Sequence, residues 1–214
     1  MLSTGEYLKI RKLVIDHGQD LDWLQHPKRP TTAEKMSEHI IYTQMGSFWK
    51  ETNVGKYFPK VMAALRAGTP VRQVFKNKRK AKAIEFAWRN RDRLFAELKT
   101  FPTSFNAPCY EVTKADLDLV EWCDKIPYLG EKTKFLAARE FGANVPKPDI
   151  WMERFAAYSG EEVLSMCKRL ARATGDRIAV VDLVLWYAGS RGLFKLSGGK
   201  PSKGSPKCKS SRGS

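Results

Sequence analysis

Acidic residues are scarce in this chain: 23 Asp and Glu stand against 38 Lys and Arg, a formal net charge of +15. A solvated surface does not need that imbalance, and self-repulsion opposes compaction. A polyanionic partner is the simplest explanation, and nucleic acid fits better than a membrane surface, because no segment reads as a basic amphipathic anchor. Long apolar runs are also missing. No stretch approaches the ~18 apolar residues of a membrane span. Met1 to Asp16 carries charges throughout, without the apolar run of a signal peptide. The four cysteines, Cys109, Cys123, Cys167 and Cys208, lie far apart with no C-x-x-C pair, which argues against zinc. Reduced structural thiols are expected, in a protein of the cytoplasm or nucleoid. His17, His26 and His39 show no ligand spacing, so neither metal nor cofactor is expected.

Strand-like alternation is scarce as well. Apolar positions recur at three and four, and the fold class read from the pattern is all-α. Helices are expected over Glu34 to Met45, with Thr31 or Thr32 as cap, and over Tyr57 to Ala67, closed by Gly68. Val71 to Lys99 holds one long helix or two short ones, and Phe101 to Tyr110 is a loop. Thr113 to Asp116 is a capping box that opens a helix ending at Lys125. Glu131 to Phe141, Ile150 to Tyr158, Gly160 to Thr174 and Arg177 to Ala188 complete the set. Residues 1–194 form the folded part. From Lys195 the chain becomes KLSGGKPSKGSPKCKSSRGS, which has six basic residues and no acid, and 195–214 is expected to be a disordered basic tail.

The informative stretch is Asp116 to Phe141: helix, the apolar turn Ile126-Pro127-Tyr128-Leu129-Gly130, then helix. Gly130 is expected to permit a backbone angle or close approach that a side chain would block. The first amides of the second helix would face outward at the positive end of its dipole, an anion site that a DNA phosphate fits. Ile126-Pro127-x-x-Gly130-x-Lys132-Thr133 resembles the L-P-G-x-G-x-K-T hairpin of the helix-hairpin-helix DNA glycosylase superfamily, in its endonuclease III branch. Val145-Pro146-Lys147-Pro148-Asp149, with Arg154 five residues on, resembles the segment that carries that family's catalytic aspartate. Ile40 to Met45 resembles the stretch whose glutamine enters the duplex gap, and Asn77 to Ala81 its basic segment. Order and spacing agree over roughly residues 34 to 190. Tyr128 stands where the family has its first hairpin glycine, and the iron-sulfur cysteine cluster is missing.

The resemblance implies a two-lobed helical fold with an interlobe cleft, acting as a monomer on double-stranded DNA that contains a modified or damaged base. Breaking a base–sugar bond develops positive charge on the sugar, which a carboxylate near C1′ stabilises. By resemblance Asp149 is that carboxylate. Lys132 is the amine that attacks C1′ and nicks the strand through a Schiff base, for which it must be neutral through desolvation or cationic neighbours such as Lys134. Gln44, expected at a helix end facing the cleft, fills the gap left by the flipped base. Lys78, Arg79, Lys80, Tyr128, Gly130, Thr133 and Lys134 hold DNA. Phe48, Trp49, Trp151 and Trp186 are candidate walls for the base, while Trp88 and Trp122 are assigned to the core.

Read as residues alone, several of these have plainer roles. Lys132 is equally a phosphate contact, Asp149 a helix N-cap and Gln44 an exposed glutamine. Asp182, a lone acid in an apolar helix, is expected to pair with Arg177 or Arg191. Two other activities stay open: a phage enzyme that attaches an amino acid to activated hydroxymethyluracil in DNA, and a non-catalytic helix-hairpin-helix DNA grip.

Overall fold

The computed structural model describes residues 1–46 and 51–194. Among the described residues the regular structure is entirely helical. The helices are α1 (Thr4–Asp16), α2 (Asp22–Gln25), α3 (Ala33–Gly46), α4 (Glu51–Arg66), α5 (Lys78–Arg89), α6 (Arg91–Thr100), α7 (Lys114–Asp124), α8 (Thr133–Glu140), α9 (Ile150–Ser159), α10 (Val163–Thr174) and α11 (Ile178–Arg191). Among these residues no helix is long and apolar enough to cross a membrane. Phe48, Trp49 and the tail 195–214 lie outside the described residues.

Local chemistry sets most of the helix ends. Thr32 Oγ1 accepts from Lys35 N–H and opens α3. Thr113 and Asp116 form the expected capping box of α7, each side chain on the other's backbone amide. The stretch Val71 to Lys99 resolves into a single 3-10 turn, Val71–Gln73, and the pair α5 and α6, divided at Asn90. Gly160 takes φ 68°, so it closes α9 and does not open α10, which starts at Val163. Helix α1 lies upstream of the anticipated elements. Ser3 and Glu6 form a second capping box there.

Buried apolar side chains gather in two clusters. One runs from Met36 to Val145 and holds α3 to α8, with Phe75, Ile84, Trp122 and Phe141 inside. The other joins the two ends of the chain, α1 and α2 with α9 to α11, around Tyr7, Phe155, Leu170 and Leu185. The seam between them is polar and closely satisfied. Asn144 donates from Nδ2 to Cys109 O and Glu111 O, accepts from Ala179 N–H, and gives its own N–H to Asp116 Oδ1. Arg177 donates to Leu24 O and Gly142 O. Each of these buried groups loses about 1–3 kcal/mol if its partner is removed, so the seam fixes how the clusters meet.

Candidate active site and hairpin

Asp149 is the N-cap of α9 and is buried. Its Oδ1 accepts from Trp151 N–H at 3.0 Å and Met152 N–H at 3.2 Å. Such a cap is worth about 0.5–2 kcal/mol to the helix. Oδ2 faces Lys147 Nζ at 3.2 Å. Pro146 and Pro148 flank that lysine and stiffen the backbone before the cap. The Lys147 N–H donates to Asp182 Oδ2 at 2.7 Å, and its ammonium lies 5.8 Å from the centre of the Trp186 ring.

Asp182 is itself ion-paired with Arg139 of α8. Both side chains are almost fully enclosed, with 4% of Arg139 and 2% of Asp182 exposed. Burial pushes the Asp182 carboxyl up, and the Arg139 charge opposes that shift. The expected pairing of Asp182 with Arg177 or Arg191 is therefore corrected: Arg177 is spent on backbone carbonyls, and the partner is Arg139. One chain of contacts thus runs from the second hairpin helix through Arg139, Asp182 and Lys147 to Asp149. Neither Lys147 nor Arg139 is among the residues to which the sequence pattern gives a role. The signal was present in Pro-Lys-Pro-Asp, which sets a constrained cation two residues before the acid.

The chain here forms α7, a tight turn and α8, and α8 starts at Thr133 where Glu131 was expected. Ile126 and Leu129 are buried, and Leu129 N–H donates to Ile126 O at 3.1 Å. Helix α8 begins at Thr133 with Lys132 as N-cap, and no side chain caps it. Its first turn is closed from within: Lys134 N–H donates to Gly130 O at 3.1 Å, and the Thr133 hydroxyl donates to the same oxygen at 3.4 Å. The expectation for Gly130 is corrected. It does not take a positive φ, and a Cβ built on it meets nothing within 4 Å. The left-handed residue is Tyr128, at φ 70°.

Lys132 is exposed and makes no hydrogen bond or ion pair among the described residues. It forms no ion pair with Asp149, whose charged partner is Lys147. Helix α8 packs on α7 and α3, whereas α9 packs on α11 and α10. Lys134 pairs with Asp124 at 3.2 Å and does not flank the Lys132 amine as a free cation.

Two further expectations are corrected by burial. Gln44 does not face a cleft: it is fully enclosed, and its Nε2 donates to Pro127 O at 2.8 Å and Ala83 O at 3.4 Å. It ties the end of α3 to the hairpin turn, while its Oε1 has no partner among the described residues. Lys80 points inward as well. Its ammonium donates to Met45 O at 2.9 Å, at the carboxyl end of α3, where the helix dipole favours a cation. Burial pulls the Lys80 ammonium down. Lys78 and Arg79 remain exposed in the first turn of α5, beside the positive end of that helix. Cations there oppose the dipole, which leaves the start of α5 strongly positive.

Trp151 is half-buried. Its ring lies against Gly189, where a built Cβ would meet Trp151 Cε3 at 2.6 Å, and the Arg154 guanidinium is 4.6 Å from the ring centre. Trp122 is buried and donates to Glu97 Oε2, and Trp88 packs against the first cluster beneath Arg91. Set against family models, curated proteins and solved structures, the chain shows no match in any of the three comparisons.

Proposed function

We propose that the chain is a DNA glycosylase that flips and excises a damaged or modified base, built on the two-lobed helix-hairpin-helix scaffold. The two buried clusters joined by a polar seam are what such a scaffold requires. The observation that carries the reading is Asp149: a buried carboxylate whose Oδ1 is fixed by two helix amides and whose Oδ2 faces a single cation, Lys147. A DNA phosphate that draws Lys147 away leaves Oδ2 turned toward the sugar. The C1′–N bond then breaks with its electron pair on the departing base, and the carboxylate stabilises the cationic sugar until water adds at C1′. The exposed pair Lys78 and Arg79, the uncapped start of α8 and Lys132 supply backbone contacts along the strand.

Extruding a base costs a few kcal/mol of stacking and pairing. In this reading the gap-filling residue is not Gln44, which is committed to the hairpin. Lys132 as a Schiff-base nucleophile is a separate step. Borohydride should trap a covalent adduct that Lys132→Ala loses, and an adduct that survives that substitution removes Lys132 from the role. The test of the whole reading is a panel of duplexes, each with one lesion or modified base, scored for abasic sites with wild type and Asp149→Asn. One duplex should be cleaved by wild type alone.

One observation favours a second reading, a non-catalytic DNA grip. Lys132 is solvent-exposed and forms no ion pair with Asp149, and Asp149 already serves as cap and ion-pair partner. In that case Asp149→Asn leaves every activity unchanged, and binding still weakens steeply with salt.

A further inference from the structure

Among the described residues Tyr128 is the one non-glycine with a positive φ. A side chain in that region crowds Cβ against the backbone, and a bulky ring persists there only where its surroundings over-determine it. The backbone is held from below. Gln44 donates to Pro127 O, Leu129 N–H donates to Ile126 O, and Ile126 and Leu129 are buried in the first cluster. None of these anchors uses the tyrosine ring, which stays 36% exposed. Lys80 Nζ, buried and donating to Met45 O, lies 5.8 Å from its centre, while the exposed cations that flank the turn are Lys125 and Lys132. An exposed aromatic among lysines, on a rigid turn, is the composition that stacks a base while cations take the adjoining phosphates.

We propose that Tyr128 is a stacking surface for an unpaired DNA base, which makes the hairpin prefer a nucleotide already outside the duplex stack. The proposal rests on the reading of the chain as a DNA-acting protein. It commits the turn to something more selective than a phosphate grip, because a glycine turn offers only backbone.

The test uses the full chain and two fluorescent duplexes, one with a single bulged nucleotide and one fully matched. Wild type, Tyr128→Phe, Tyr128→Ala and Tyr128→Gly are compared by anisotropy at fixed salt and by thermal melting. Wild type and Tyr128→Phe are expected to prefer the bulged duplex by roughly tenfold, the scale of one base–aromatic stack. Tyr128→Ala and Tyr128→Gly should lose that preference equally. Tyr128→Gly should also melt above Tyr128→Ala, because both lack the ring and only glycine accepts the positive φ without strain. A preference that survives in Tyr128→Ala overturns the proposal. So does a preference lost in Tyr128→Ala and regained in Tyr128→Gly, which assigns the effect to the backbone. A Tyr128→Gly that melts no higher than Tyr128→Ala removes the strain argument. Wild type that binds neither duplex overturns the DNA reading beneath it.

Discussion

Removing one member of the Arg139–Asp182 pair should damage the fold far more than removing both. Neither side chain has appreciable access to water. Arg139→Met leaves the Asp182 carboxylate with the Lys147 N–H as its remaining donor, and Asp182→Leu leaves a buried guanidinium whose Nε already lacks a partner. Breaking such a pair costs about 3–5 kcal/mol, because an uncompensated charge is left in a low-dielectric site, whereas replacing both partners by apolar groups of similar volume is near neutral. In a chain of this size each kcal/mol moves Tm by roughly 2–4 °C, so each single variant should melt on the order of 10 °C lower. The double variant Arg139→Met/Asp182→Leu should recover most of that loss. Urea denaturation of the four proteins closes the cycle. The pH dependence gives an independent sign. Without Arg139 the Asp182 carboxyl rises further, so the folded state holds a proton that the unfolded chain releases, and stability falls as pH rises from the unfolded value toward the folded one. The Arg139→Met deficit should therefore be smaller near the ordinary carboxylate range than at neutral pH. Single variants within 1 kcal/mol of wild type, or losses that simply add, would refute the pair as the clamp between α8 and α11.

Two further predictions concern Lys147 and Gln44. Lys147→Met removes the cation from Asp149 Oδ2 but leaves the Oδ1 cap intact, so the buried carboxylate loses one partner and stability should fall by about 1–3 kcal/mol, while the proposed excision slows by roughly tenfold or more because the phosphate contact of Lys147 is lost; single-turnover kinetics with an unchanged rate would deny Lys147 that role. Gln44→Ala should lower the stability of the free protein by about 1–3 kcal/mol, because Pro127 O loses its donor; a melting curve identical to wild type would mean that Gln44 is solvent-facing after all.

The helices with strong local signals were legible in the sequence. The Thr113/Asp116 box, the Thr32 cap and the Asp149 cap are made by residues within three positions of one another, and short-range patterns expose them. Ser3-Thr4-Gly5-Glu6 carries the same short-range signal for α1. What was not legible depends on contacts distant in sequence. Gln44 and Lys80 read as surface residues from their polarity, but their partners are Pro127 and Met45, brought close only by the packing of α3, α5 and the hairpin. Asp182 announced itself as an acid in an apolar run, yet which arginine reaches it depends on how the two clusters meet. At the turn, glycine identity pointed to Gly130, whereas the left-handed backbone falls on Tyr128, the position at which the resembled motif carries its first glycine.

The central claim is that Asp149 supports loss of a base from DNA. The most direct measurement is the mass of an oligonucleotide strand, carried through the duplex panel, after incubation with wild type and with Asp149→Asn. The account predicts a strand lighter by one base and heavier by one water with wild type, and an unchanged strand with Asp149→Asn. A strand that gains mass at the base, or one that is unchanged throughout the panel although both proteins bind, would contradict it.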